Sequence, residues 1–96
     1  MTSKQRANLR ALASQIEPIY QIGKGNISET LIRGVDEALE KRELVKITVL
    51  KGSDYDAKEV LEELSSELNA EQVCAIGNKV VLYRRSKSDK VKHIEF

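Results

Sequence analysis

This 96-residue chain has few of the residues that carry covalent chemistry, with one cysteine, one histidine, one proline and no tryptophan. Cys74 has no second thiol for an internal disulfide or a metal site, and its neighbours V-C-A-I indicate a small buried strand residue. No apolar run approaches the ~20 residues of a membrane span, and residues 1–8 lack the hydrophobic core of a signal peptide. We therefore expect a protein of the cytoplasm with no membrane contact.

The scarcity of histidine and cysteine also argues against an enzyme. His93 lies near the C-terminus, and no Ser/His/Asp or Cys/His set can be assembled around it. Adjacent acids such as Glu62 and Glu63 point in different directions from a helix, so they form no catalytic pair. One histidine and one cysteine provide no ligand cluster for a metal. The sequence predicts a binding protein with no catalytic residues, cofactor, metal or small-molecule substrate.

The net charge of +1 conceals a separation of signs along the chain. Residues 1–34 carry five Lys/Arg against two acids, a net +3, whereas residues 35–72 carry five against eleven, a net −6. Residues 73–96 carry six against two, a net +4. A polyanion could therefore meet one basic surface on a nearly neutral molecule. The same separation is also found on surfaces that are merely solvated.

The segment Q-I-G-K-G-N-I-S-E-T-L, residues 21–31, predicts a tight turn from a strand into a helix. Gly23 and Gly25 permit positive φ and close approach of another backbone, and Asn26 tolerates the same region. Lys24 alone carries a long side chain. Bare N–H groups, one ammonium and the positive end of a helix dipole together suit a phosphate group. Glycine-rich turns also connect strands to helices without binding an anion, so both interpretations stay open.

Apolar spacing and turn signals predict an α/β domain with the element order α-β-α-β-α-β-β. Helices are expected from a cap at Thr2 or Ser3 to about Ile16, from about Glu29 after Ser28 to Arg42, and after a cap at Asp56, with Gln5 and Glu59 at the capping-box positions. Strands are expected at 18–22, 44–50, 71–76 and 79–84. Helical crossovers imply parallel pairing of the first three strands, and Gly77-Asn78 closes an antiparallel hairpin. The predicted fold is a single domain, residues 1–85, with a mixed four-stranded sheet packed with three helices. Residues 86–96 are predicted to form a basic, mobile tail.

Each predicted helix carries a further local expectation. The first should bury one apolar face and carry Arg6 and Arg10 one turn apart on its flank; the buried residues are Leu9, Leu12, Ala13 and Ile16. Gly34 inside the second helix indicates a close-packing point. The third exposes acids that should face away from a nucleic acid, namely Glu59, Glu62, Glu63 and Glu67.

Four separated blocks resemble one protein family, and the resemblance extends over residues 2 to about 85. They are T-S-K-Q-R-A-N-L-R-A-L-A, E-P-I-Y-Q-I-G-K-G-N-I-S, L-V-K-I-T-V-L-K and A-I-G-N-K-V-V-L-Y-R. In this order they resemble the YhbY-like proteins, the bacterial single-domain members of the CRM family (chloroplast RNA splicing and ribosome maturation). The resemblance implies an RNA-binding domain associated with precursors of the large ribosomal subunit. It also implies a KH-like G-x-x-G loop at residues 23–26, where Asn26 stands in place of the family's usual glycine.

The loop, the basic segments and the resemblance predict that the chain binds RNA, specifically ribosomal RNA in precursors of the large subunit. The predicted RNA-binding residues are Lys4, Arg6, Arg10, Gly23, Lys24, Gly25, Asn26, Lys79, Arg84 and Arg85. Only Tyr20, Tyr55, Tyr83 and Phe96 could stack on bases, so we expect recognition of shape and backbone. The alternative is a protein-interaction adaptor that docks on a ribosomal protein or assembly factor through its acidic helix.

Overall fold

The computed structural model describes residues 1–25 and 27–96, and its element order is the predicted one. The helices are α1 (Ser3–Ala13), α2 (Glu29–Arg42) and α3 (Ala57–Leu68), and the strands are β1 (Tyr20–Ile22), β2 (Leu44–Val49), β3 (Glu71–Ile76) and β4 (Lys79–Tyr83). The prediction of one α/β domain with three helices and a mixed four-stranded sheet is confirmed. Asn26 lies outside the described residues.

The three helices begin at side chains that cap them. The Thr2 hydroxyl accepts from the Gln5 N–H at 3.1 Å, in the capping box that the sequence predicts. Ser28 caps α2 in the same way, and Asp56 caps α3 in a second capping box. Each cap satisfies a backbone donor that the first helical turn leaves unpaired, which stabilises a helix by about 1 kcal/mol.

Helix α1 ends earlier than predicted, at Ala13 instead of Ile16. The N–H of Ile16 donates to the Ala13 carbonyl three residues back, so the chain tightens after the last helical turn. The ammonium of Lys46 donates to the carbonyls of Ala13 and Ile16, at 3.2 and 3.5 Å, which satisfies acceptors at this end. The predicted burial of Leu12 is wrong, because its side chain is 41% exposed.

The strand order of the sheet is β1-β2-β4-β3. Strands β1 and β2 pair in parallel, and β4 lies between β2 and β3, antiparallel to both. The first three strands therefore run in the same direction, but the predicted pairing of β2 with β3 is wrong, because β4 lies between them and is antiparallel to both. Because β1 pairs with β2 and lies at the end of the order, it forms one edge of the sheet.

Two apolar clusters cover the two sheet faces. Helices α2 and α3 pack on one face, where the inward side chains of β2 are Val45, Ile47 and Val49, as their alternation predicts. Helix α1 packs on the opposite face through Leu9 and Ala13. This second cluster covers only part of its face. Towards the carboxyl end of β2 the same face carries polar side chains, among them Thr48 and Lys79.

Gly34 is the close-packing point that the sequence predicts. A Cβ placed there would overlap the hydroxyl of Tyr20 and lie 2.8 Å from its Cζ. We expect Gly34→Ala to lower the free energy of unfolding by roughly 1–3 kcal/mol, despite the better helix propensity of alanine. Urea denaturation would measure this, and combining the change with Tyr20→Phe should recover part of the loss. A single variant as stable as the wild type would contradict the packing.

The C-terminal segment differs from the mobile tail that its composition predicts, because it packs on the body of the domain. The carboxylate of Glu43, whose side chain is fully buried, accepts from the N–H groups of Ser86 and Ile94, each at 2.7 Å. It also lies 2.6 Å from Nδ1 of His93. The ring of Phe96 packs edge-on against Tyr83, with centroids 4.8 Å apart. Residues 86–96 are thus fixed through a long-range partner at the end of α2.

Within the described ranges, no helix combines the length and the apolar character that crossing a membrane requires.

Candidate nucleic-acid interface

Three loops meet at one end of the sheet, beyond the carboxyl ends of β1 and β2. The N–H of Leu50, just after β2, donates to the carbonyl of Ile22, the last residue of β1, at 2.8 Å. The N–H of Val49 donates to the carbonyl of Asn78 in the β3–β4 turn, also at 2.8 Å. The glycine-rich loop, the segment 50–56 and the hairpin turn therefore form one continuous surface, here called the loop edge.

The glycine-rich loop stands out from this edge. Gly25 has a φ of 97°, and a Cβ placed there would meet no heavy atom within 4 Å. The Lys24 side chain is exposed. Gly23 does not adopt a positive φ, and a Cβ there would make an ordinary contact with Leu50 at 3.8 Å. The loop thus requires a glycine at Gly25 for its backbone conformation, and it precedes the positive end of α2.

One backbone donor of this loop already binds an oxygen anion. The N–H of Gly25 donates to the carboxylate oxygen Oδ2 of Asp54 at 2.8 Å. Asp54 is exposed and belongs to the segment after β2, whose turn includes Gly52 at a φ of 92°. Sequence reasoning did not identify Asp54 as part of the site, because no local pattern indicates a contact 29 residues away.

A polar cleft of about 820 Å³ lies on the open part of the sheet face that α1 only partly covers. Its floor carries two lysines: the ammonium of Lys79 donates to the Thr48 hydroxyl at 2.9 Å, and Lys46 reaches the end of α1. The wall of the cleft includes Gln21 of β1, the strand that leads into the glycine-rich loop. The cleft therefore adjoins the loop edge.

Cys74 of β3 lies on the sheet face that α1 packs against. Burial raises the pKa of the Cys74 thiol, and the positive charges of Arg10 and Lys46 oppose that increase. Cys74 is half-buried against the α1 cluster, not fully buried as predicted. Lys46 lies on this face because it reaches the end of α1, Lys79 lies there beside Thr48, and Arg10 is carried by α1 itself. We call these three residues the open-face cluster. Lys46 could have been identified from the alternation of β2, which turns it away from the main core.

The remaining predicted residues of α1 lie apart from one another. The Nε of Arg6 donates to the carbonyl of Gln72 on β3 at 3.1 Å, which fixes this guanidinium to the sheet edge. Lys4 is exposed at the start of the helix. Arg10 is exposed nearer to the helix end. Of the basic side chains on α1, Arg10 is the exposed one nearest to the helix end that Lys46 contacts.

Arg84 does not belong to this basic surface, in contrast to the prediction. Its side chain is 17% exposed, and its Nη1 lies 2.7 Å from a carboxylate oxygen of Asp36 and 2.9 Å from the Leu68 carbonyl. Its Nη2 lies 3.5 Å from Glu40. The alternation of β4 explains this: Val80 and Leu82 face α2 and α3, and Arg84 follows on the same side.

Arg85 is exposed, but it follows the far end of β4, opposite the loop edge. The acids of α3 are exposed on the sheet side opposite to α1, as the sequence predicts; they are Glu59, Glu62, Glu63 and Glu67. Among the residues described, no group of three or more His, Cys, Asp or Glu side chains is placed to hold a metal ion. The acids of α3 thus lie across the sheet from Lys46 and Lys79, although α3 begins at the loop edge, where Glu59, Glu62 and Glu63 lie near Tyr55.

Comparison with known proteins gives consistent matches. The chain matches the CRS1/YhbY (CRM) domain over residues 1–84. It is 41% identical to the probable RNA-binding protein YqeI of Bacillus subtilis, over 94% of each chain. It is 31% identical to an RNA-binding protein of Haemophilus influenzae, over 96% of this chain and 93% of that one. The solution structure of SAV1595 from Staphylococcus aureus superposes with a TM-score of 0.78 at 45% identity, over 98% of this chain and 99% of that one.

Proposed function

This chain belongs to the CRS1/YhbY (CRM) domain family, and from that membership and the loop edge we propose that it binds RNA. The observation that carries the proposal is the hydrogen bond from the Gly25 N–H to the carboxylate of Asp54, beside the exposed side chain of Lys24. The loop thus presents a backbone donor and a positive charge that suit an oxygen anion. Relatives named as RNA-binding proteins support RNA as the ligand. The acidic helix α3 packs on the sheet face opposite to the one that carries Lys46 and Lys79, so its acids lie away from the face that we propose the phosphate chain follows.

In the proposed complex, one phosphate binds at the Gly25 N–H and the Lys24 ammonium. Neighbouring phosphates of the same strand follow the polar cleft past Lys79 and Lys46 towards Arg10. Backbone N–H groups and lysines recognise phosphates without regard to sequence. The four aromatic rings pack within the fold: Tyr20 lies against Gly34, Tyr55 packs on the core beneath α2 and α3, and the rings of Tyr83 and Phe96 contact each other. We therefore propose recognition of RNA shape and backbone.

We further propose that the RNA is ribosomal RNA, bound in cytoplasmic precursors of the large ribosomal subunit. The support for this finer assignment is the resemblance to the YhbY-like members of the family. Crosslinking in cells, followed by sequencing of the bound RNA, tests it directly. Enrichment of large-subunit precursor RNA is the expected result, and enrichment of unrelated transcripts alone would contradict it.

Removing the loop charge tests the site. We expect Lys24→Ala to weaken RNA binding roughly threefold to tenfold at low salt, and to reduce the slope of log affinity against log salt by ~0.7 for a single strand or ~0.9 for a duplex. Fluorescence anisotropy with a labelled RNA over a salt series measures both quantities. The fold should be unaffected, because exposed substitutions change stability by under ~0.5 kcal/mol.

The matched control is Lys41→Ala, which removes the same charge from the exposed last turn of α2, far from the loop edge. It should change affinity and salt slope less than Lys24→Ala does. If the two variants are indistinguishable, the loop is only a connector and the RNA site lies elsewhere. Binding to a protein partner without RNA, insensitive to Lys24→Ala, would instead support the adaptor hypothesis.

A further inference from the structure

The contact between Asp54 and Gly25 affects which anions bind to the loop, provided that the loop is the RNA site proposed above. We propose that Asp54 is an internal competitor for RNA phosphate. Its carboxylate occupies the Gly25 N–H in the free protein and has to leave before a phosphate binds there. This competition keeps the loop from binding isolated phosphate groups, and it favours an RNA strand that also contacts the open-face cluster.

The geometry makes the two anions mutually exclusive. One N–H group donates a good hydrogen bond to one acceptor, and the 2.8 Å contact to Asp54 satisfies the Gly25 donor. A phosphate that took this position while the carboxylate stayed nearby would experience like-charge repulsion within a few ångströms. The Asp54 carboxylate therefore has to rotate away into solvent when phosphate binds.

The segment that carries Asp54 allows this exchange without refolding. The N–H of Ser53 donates to the Leu50 carbonyl at 3.0 Å, and the N–H of Tyr55 donates to the Ser53 hydroxyl at 3.1 Å. These bonds fix the backbone on both sides of Asp54. Because the Asp54 side chain is exposed, it can change rotamer while that backbone stays in place.

The competitor lowers the affinity of the loop for every phosphate by a similar factor, but the consequence depends on the ligand. A single phosphate has only the loop to bind, so the same factor lowers an affinity that is already weak. An RNA strand has further phosphates that reach Lys79, Lys46 and Arg10, and these contacts hold the strand at high local concentration beside the loop. Asp54 thus restricts the loop to extended polyanions.

The test compares Asp54→Asn with Glu63→Gln, an equal loss of negative charge on the exposed surface of α3. We expect Asp54→Asn to bind a labelled single-stranded RNA roughly three- to tenfold more tightly than the wild type at low salt, and Glu63→Gln to change affinity much less. Asp54→Ala, which also removes the acceptor atom, should show the same gain. Inorganic phosphate, followed through the Gly25 amide signal by NMR, should bind the two Asp54 variants at lower concentration than the wild type.

The outcomes separate this inference from the proposed function. Weaker RNA binding by both Asp54 variants would overturn the inference and show that Asp54 holds the loop in its binding conformation. Affinity equal to that of Glu63→Gln would also overturn it, since the contact would then be unrelated to binding. If Lys24→Ala weakens binding in either case, the proposed RNA site still stands. If Lys24→Ala and the Asp54 variants all bind as the wild type does, the proposed site itself is wrong.

Discussion

Replacing Glu43 with alanine should lower the free energy of unfolding by about 3 kcal/mol or more, the largest stability effect we expect from any single truncation of a polar side chain here. The substitution leaves three buried or half-buried donors without their acceptor: the N–H groups of Ser86 and Ile94, and Nδ1 of His93. An ionised carboxylate can only accept hydrogen bonds, so the contact with Glu43 places a proton on Nδ1 of His93. Chemical denaturation followed by circular dichroism measures the loss.

Two further variants make this expectation specific. Glu37→Ala truncates an exposed glutamate of α2, the helix that Glu43 follows, and should change stability by under ~0.5 kcal/mol. Glu43→Gln keeps the shape and one acceptor oxygen, so it should fall between alanine and the wild type. If Glu43→Ala costs no more than Glu37→Ala, the C-terminal segment is not fixed by Glu43.

The pH dependence of stability offers an independent measurement of the same contacts. Burial by itself would raise the pKa of Glu43, but the hydrogen bonds from His93, Ser86 and Ile94 outweigh burial and hold the pKa below its ordinary value of 4.5. A carboxyl group whose pKa is lower in the folded state stabilises the fold above its unfolded pKa, and this contribution is lost as pH falls through the folded pKa. The stability difference between the wild type and Glu43→Gln should therefore narrow as the pH is lowered below 4.5.

The features that the sequence predicts correctly are those set by neighbouring residues. The caps at Thr2, Ser28 and Asp56 depend on residues three positions apart, and the Gly77-Asn78 turn depends on two adjacent residues. Strand alternation assigns the core side of β2 for the same reason. These local rules were enough to predict the elements and the fold class.

The features that the sequence does not predict depend on contacts between distant segments. Lys46 donates to the carbonyls of Ala13 and Ile16, so a strand residue satisfies acceptors at the end of α1. Asp36 and the Leu68 carbonyl hold Arg84, which removes it from the basic surface. Glu43 fixes a segment some fifty residues later in the chain. None of these partners leaves a periodic or short-range pattern, so sequence spacing cannot reveal them.

The candidate site shows the same division. Gly25 and Lys24 are recognisable from the loop sequence alone, because a glycine pair beside a helix start is a local signal. Asp54 and Lys46 come to the site from β2 and the segment after it, through the parallel pairing of β1 with β2. The sequence therefore predicts the centre of the site, and the tertiary structure supplies the residues that modulate it.

The largest effect on RNA binding is expected from Gly25→Asp, which should weaken affinity by roughly tenfold or more at low salt. The new carboxylate would stand at the point where we propose that the loop backbone approaches phosphate, beside the positive end of α2. It would also add a second negative charge next to Asp54. Anisotropy titration with the same labelled RNA used for Lys24→Ala measures the loss, and the loss should shrink as salt screens the new charge.

Gly25→Ala separates charge from backbone strain in this experiment. Any L-residue is strained at a φ of 97°, so both variants should lose about 1 kcal/mol of stability. Because a Cβ there meets nothing within 4 Å, alanine adds no clash and should weaken RNA binding far less than aspartate does. Equal losses for the two variants would assign the effect to loop conformation and not to charge. If folded Gly25→Asp binds RNA as tightly as the wild type does, no phosphate approaches this loop. The proposed interface would then consist of the open-face cluster alone.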